Sequence, residues 1–262
     1  MITDLNDLAG QLAVIARLAG AEIRAMQAGP LEVRLKGPAE VVTLADRRSH
    51  EIMVAELTRR FPGVPLVLEE QDNPARLPAT YLVADELDGT AIYSRGLTDW
   101  AVTLALVENG RPVAGAMVQP CRDVMVTAWR GGGAWRDGRR LRFAPGLTIA
   151  GSVALAEINR FHTPAQVAWA GRISERALTL RSLGSAVGAA LELVNGHASL
   201  YLNCRGAKVW DFAAAVIAVE EAGGVAVAPD GGGTLDWSTA PMGALLAANA
   251  GIAAEALALR AG

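Results

Sequence analysis

The apolar positions of this chain follow two rhythms, and the first half shows both. Leu5, Leu8, Leu12, Ile15, Ala19 and Ile23 recur at the three- and four-residue steps of one helix face, and Gly29-Pro30 stops the run. A helix is therefore expected from Asp4 to about Gln27. A polar turn at Lys36-Gly37-Pro38 leads to Val41-Val42-Thr43, and a second helix is expected to run through Arg60 with Ile52, Met53, Leu57 and Phe61 inward. Thr43 and Asp46 resemble a capping box at its start. Short continuous apolar runs read instead as buried strands: 64–68, 81–84, Trp100 to Val107 and Val113 to Val118. The last two flank the hairpin signal Asn109-Gly110, and the Gly131-Gly132-Gly133 and Asp137-Gly138 turns extend a meander through Leu141-Arg142-Phe143.

After Ala144-Pro145-Gly146 strand-like segments at 149–155, 178–181 and 198–202 alternate with helical ones. Those helices begin near Pro164, near Ser185 and at Trp210-Asp211, the last closing at Gly223-Gly224. Such alternation predicts an α/β half with some parallel pairing. The expected division is an α+β half with an antiparallel sheet over 1–147 and an α/β half over 148–262.

Chemistry enters where apolar runs end in acid. Tyr81-Leu82-Val83-Ala84 stops at Asp85-Glu86-Leu87-Asp88-Gly89-Thr90, and Val67-Leu68 stops at Glu69-Glu70. Strand ends in α/β folds commonly carry ligand sites. Asp85 and Asp88 repel each other unless a cation lies between them, and Mg²⁺ is the economical occupant, with the Leu87 carbonyl as a further oxygen. Backbone N–H groups at Gly89 and Thr90 suit an anionic oxygen. Taken locally, each acid also has a plainer role: Asp85 and Asp88 as turn and cap residues, Asp46 in its capping box, Asp211 at a helix N-terminus, Glu69 and Glu70 in a solvated loop. An EF-hand loop is excluded, because Asp85 to Gly89 lacks the alternating ligands.

The 262 residues, 52% hydrophobic and 19% charged, can bury an ample core. A net charge of −3 without a basic stripe argues against a nucleic-acid polymer as partner. Cys121 and Cys204 stand alone, which fits a reduced compartment and no zinc knuckle. With an acidic N-terminus and no apolar run that spans a bilayer, no membrane association is expected, and the cytoplasm is the expected location. His50, His162 and His197 are scattered and read as structural or surface residues.

Four segments taken together resemble the inositol monophosphatase family of Mg²⁺-dependent, lithium-sensitive phosphomonoesterases, which includes bisphosphate nucleotidases. Val42-Thr43-Leu44-Ala45-Asp46 is similar to its VTxAD segment, Leu68-Glu69-Glu70 to its GEE, Asp85-Glu86-Leu87-Asp88-Gly89-Thr90 to its DPxDGT, and Trp210-Asp211-Phe212-Ala213-Ala214 to its WDxAA. The order and spacing span nearly the whole chain. The resemblance implies a layered αβαβα sandwich. It implies that Glu69, Asp85 and the Leu87 carbonyl hold one Mg²⁺ and that Asp85, Asp88 and Asp211 hold a second. Asp46 with Thr90 would orient the attacking water, and Glu70 would position an outer water or a third ion. Gly89, Thr90 and Ala91 would steady phosphate oxygens through their N–H groups. The family habit makes a homodimer the expected assembly.

Leu183-Gly184-Ser185-Ala186 resembles the family's substrate-contacting GSAA, which puts Gly184, Ser185 and Ala186 beside the substrate. Three departures stand out. Glu86 replaces the family Pro, and inward it could bind an ion or repel an anionic group, whereas outward it would do little. Cys204 takes the place of a Glu that contacts inositol hydroxyls. Gly188 sits where nucleotidases carry a Lys for a second phosphate, while Arg205 and Lys208 could bind an anionic group or lie in a solvated loop. The leading expectation is a phosphatase of an inositol, sugar or other polyol monophosphate. A 3′(2′),5′-bisphosphate nucleotidase and a catalytically silent metal-binding regulatory protein are the alternatives.

Overall fold

The computed structural model describes residues 4–35, 41–160, 162–231 and 233–261, so the turn expected at Lys36-Gly37-Pro38 lies outside the described residues. Helix α1 (Leu5–Met26) leads through the short strands β1 (Arg34–Leu35) and β2 (Val41–Val42) into α2 (Leu44–Arg60). The capping box expected at the start of α2 is present. Seven strands follow: β3 (Leu66–Leu68), β4 (Thr80–Asp88), β5 (Ala101–Glu108), β6 (Arg111–Gln119), β7 (Val124–Trp129), β8 (Gly133–Arg136) and β9 (Arg139–Leu141). They form one sheet in sequence order, parallel only between β3 and β4 and antiparallel thereafter. A single turn of helix, α3 (Thr90–Tyr93), sits between β4 and β5.

The second sheet is mixed. Its order is β11 (Thr179–Arg181), β10 (Val153–Ala156), β12 (Leu200–Ala207), β14 (Met242–Ala247) and β13 (Val225–Val227). β10 runs parallel to both β11 and β12, and the β12–β14 and β14–β13 pairs are antiparallel. The strand expected from Ile149 begins only at Val153, because residues 149–152 close a turn in which the Ser152 N–H donates to the Ile149 carbonyl. Helices α4 (Pro164–Arg176), α5 (Ala186–Val194), α6 (Val209–Glu221) and α7 (Ala250–Ala258) complete the described chain.

Alternation along the strands sorts side chains into layers. Leu82, Ala84, Leu104 and Leu106 pack with α1 and α2, while Tyr81, Val83, Ala105 and Val107 pack with α5 and α6. The other face of α5 and α6 meets Tyr201, Ala244 and Leu246 of the second sheet, whose far side is covered by α4 and α7. The expected layered αβαβα sandwich is the observed fold. Helix α6 lies close on the first sheet because of Gly115: a Cβ there would sit 2.8 Å from the Ala214 Cβ. That close approach sets the depth at which α6 presents its first turn, which carries Asp211.

Candidate active site

The site lies where β3 and β4 end against the first turns of α5 and α6. In the parallel β3–β4 pair Leu68 stands opposite Ala84, and both belong to the core under α1 and α2. The following residues, Glu69 and Asp85, therefore stand side by side toward the other face. Glu69 is the strongest neighbouring charge acting on Asp85.

Strict alternation would put Asp85 and Asp88 on opposite faces of β4. A β-bulge prevents this: Asp85 pairs with Thr103 and Asp88 with Ala101, so β4 carries one residue more than β5 across the same interval. Leu87 thereby turns into the core under α2, and Asp88 joins Asp85 on the α5–α6 side. One Asp88 oxygen accepts the Ala186 N–H at 3.1 Å; the other accepts the Val187 N–H at 2.9 Å and the Ser185 hydroxyl. Gly89 follows in the left-handed region at φ 91°, with Gly184 and Ser185 packed where a Cβ would lie. The two halves of the chain thus meet at the Gly89 and Gly184 backbones.

Asp211 stands in the first turn of α6, and its Oδ2 accepts the Lys208 N–H at 2.5 Å. One carboxylate oxygen from each of Asp85, Asp88 and Asp211 lies within 4.8 Å of the other two. Burial is the main force raising all three carboxyls above their usual range, Asp211 to about 7. The charges of Glu69, Asp88, Asp211 and Glu86 add to the burial at Asp85, while the Ser185 and α5 donors partly offset it at Asp88. Asp85 also shares a hydrogen bond with Asp211. Buried like charges at such spacing, with only oxygen donors converging, fit a hard divalent cation such as Mg²⁺. Beside them the Thr90 hydroxyl lies 2.9 Å from Asp46 Oδ1 and 3.0 Å from the Leu87 carbonyl. Asp46 is buried, and its Oδ2 accepts the Thr43 N–H at 2.7 Å and the Thr43 hydroxyl at 2.6 Å.

Glu69, Asp85, Leu87, Asp88 and Asp211 therefore gather with Asp46 and Thr90. Gly89, Gly184, Ser185 and Ala186 line the same junction, and Ala91 is exposed at its edge. Glu70 is half-buried next to His50. Cys204, expected on the substrate side, lies apart from these residues. It shares the face of Leu200 and Leu202 and packs with the core under α4 and α7, while Tyr201 and Asn203 point the other way. Arg205 is exposed near His162, and the Lys208 Nζ donates to the Thr239 carbonyl at 2.9 Å.

Glu86 is fully buried and faces α2, where one oxygen lies 2.7 Å from His50 Nδ1. Glu157 is a residue that sequence reasoning missed. It follows β10 directly, and burial followed by the Asp88 charge pushes its carboxyl up to about 7, with the Gly184 N–H as a partner. The signal was there in 154–157, a third apolar run that stops in acid.

Fold and site together define a layered α/β protein with a buried carboxylate cluster suited to a divalent cation. A profile of the inositol monophosphatase family matches residues 5–261, and the chain belongs to that family. The chain is 32% identical over 206 residues to the inositol-1-monophosphatase of Mesorhizobium japonicum, covering 77% of each. It is 32% identical over 235 residues to the 3′(2′),5′-bisphosphate nucleotidase CysQ of Salmonella typhimurium, covering 87% of this chain and 93% of that one. The crystal structure of the extragenic suppressor protein suhB from Bartonella henselae superposes with a TM-score of 0.88 at 25% identity, over 97% of this chain and 98% of that one. Like its family, the chain is a phosphatase that acts on phosphoric monoesters. No helix among the described residues is long and apolar enough to cross a membrane.

Proposed function

We propose that the chain hydrolyses the monophosphate of a small polyol, of the inositol or sugar type, with two Mg²⁺ and a directly attacking water. The observation that carries this reading is the convergence of Asp85, Asp88 and Asp211 oxygens within 4.8 Å, from a strand end and a helix start more than a hundred residues apart. Glu69, Asp85 and the Leu87 carbonyl would hold one ion, and Asp85, Asp88 and Asp211 the other. Bound there, such a pair supplies Lewis acidity that lowers the pKa of a water and neutralises the leaving alkoxide.

The protein's own groups do the rest. When the Thr90 hydroxyl donates its proton to Asp46, its lone pairs are left free to accept a water O–H and fix that water's direction. The first-turn N–H groups at Gly89, Thr90 and Ala91 lack acceptors inside their own short helix, which suits them to phosphoryl oxygens. Ser185, held against Asp88, brings the Gly184–Ala186 loop beside the leaving group. Glu157, bonded by Gly184, offers a carboxylate for a substrate hydroxyl on that side.

Gly188 favours the polyol over a nucleoside bisphosphate. A Cβ there would lie 2.3 Å from the Asp99 carbonyl oxygen, so no lysine can replace it without moving α5. Parallel kinetics on inositol 1-phosphate and adenosine 3′,5′-bisphosphate test the choice. The expected kcat/KM is at least tenfold higher for the inositol ester, and a preference for the bisphosphate would overturn the substrate class. Absence of Mg²⁺-dependent phosphate release across a panel of sugar phosphates, inositol phosphates and nucleoside bisphosphates would favour the silent metal-binding alternative.

A further inference from the structure

Glu86 is a carboxylate buried next to a cluster of other carboxylates. Burying an unpaired carboxylate is costly, so its partners show what it does. It turns its back on Asp85 and Asp88. One oxygen lies 2.7 Å from His50 Nδ1 and accepts the Glu70 N–H at 3.4 Å, and the other accepts the Glu69 N–H at 3.2 Å. Its own carbonyl accepts the Ser49 hydroxyl at 2.7 Å, which ties the same residue to α2 a second time.

We propose that Glu86 is a positioning residue: held by His50, its carboxylate grips the backbone of Glu69 and Glu70 and fixes the turn after β3, so that the Glu69 side chain reaches the metal centre. The inference rests on the reading of Glu69 as a metal ligand. β3 ends at Leu68, and beyond it the Glu69 N–H also leans toward the Ala84 carbonyl at a long 3.3 Å. One Glu86 oxygen therefore adds to that strand-type bond, and the other gives the Glu70 N–H an acceptor at the open edge of the sheet. The grip comes from α2, the helix that also carries Asp46. One rigid helix thereby sets the positions of Glu69 and of the Asp46–Thr90 pair relative to each other. A proline at 86 has no acceptor to offer the turn; Glu86 fixes by hydrogen bonds what a ring cannot reach.

The test is Mn²⁺ binding, followed by the EPR signal of the free ion, in the wild type, Glu86→Ala, Glu69→Gln and the double variant. Outer-shell partners of metal ligands typically contribute ten- to a hundredfold in affinity, so Glu86→Ala is expected to weaken Mn²⁺ binding roughly tenfold or more. Glu69→Gln is expected to weaken it at least as much, and the double variant no further, because Glu86 acts through Glu69. Losses that add in the double variant, or unchanged binding in Glu86→Ala beside weakened binding in Glu69→Gln, would overturn the positioning role alone. Unchanged binding in Glu69→Gln would remove the ligand reading beneath it. Glu86→Gln keeps the shape and one acceptor oxygen and is expected to fall between wild type and Glu86→Ala. Should Glu86→Ala fail to fold, as judged by circular dichroism, Glu86→Gln carries the test, and wild-type affinity in it would equally overturn the proposal.

Discussion

Asp85→Asn is expected to lower kcat/KM by roughly a thousandfold or more, about 4 kcal/mol of transition-state stabilisation, while making the metal-free protein more resistant to unfolding. Both effects have one cause. Asp85 is fully buried, and Glu69, Asp88, Asp211 and Glu86 each raise its carboxyl further, so its ionised form is unwelcome until a cation arrives. An asparagine there keeps the bond to the Leu87 N–H, now 2.9 Å from Asp85 Oδ1, through its amide oxygen. It removes the charge that would bridge two ions. Kinetics and chemical denaturation of the same preparation check the pair of effects. A variant that stays active would remove Asp85 from the metal site, and one that loses both activity and stability would show that Asp85 holds the fold together.

The pH dependence of metal-free stability should be as telling. Burial raises the Asp211 carboxyl from an ordinary 3.8 to about 7, and it raises Asp85 and Asp88 as well. A carboxyl whose folded value exceeds its unfolded one favours folding only while protonated. Its contribution is full below the unfolded value and is lost as pH climbs through the folded one. The metal-free protein should therefore lose thermal stability as pH climbs from about 4 through 7. Mg²⁺ needs the carboxylates deprotonated, so its stabilising effect should run the other way, small at pH 5 and large at pH 8. At a hundred times the dissociation constant it should contribute about 2.7 kcal/mol, or roughly 5–10 °C in melting temperature. Differential scanning fluorimetry across pH with and without Mg²⁺ reads both trends. Metal-free stability that rises steadily from pH 4 to 8 would contradict the buried acidic centre.

Much of this centre was legible because its acids do two jobs. Asp46 closes a capping box with one oxygen and takes the Thr90 hydroxyl with the other, so the local role leaves an oxygen for the functional one. Asp211 likewise bonds the Lys208 N–H while facing Asp85 and Asp88. What the sequence could not convey was direction. The bulge in β4 decides that Asp88 faces α5, and a bulge arises from pairing with β5, not from the order of residues in β4. The resemblance set Cys204 in the place of a substrate-contacting Glu, and alternation along β12 packs it with the core under α4 and α7. Glu157 escaped notice because its neighbours Gly184 and Asp88 come from other parts of the chain.

The central claim is that acids from both halves of the chain share bound divalent ions. A crystal of the protein soaked in Mn²⁺ and phosphate, with data collected for anomalous scattering, tests it most directly. The expected result is two strong anomalous peaks about 3.5–4 Å apart, one between Glu69, Asp85 and the Leu87 carbonyl and one between Asp85, Asp88 and Asp211, with the phosphate beside the Gly89–Ala91 turn. Fully occupied Mn²⁺ elsewhere, with Asp85, Asp88 and Asp211 left bare, would contradict it.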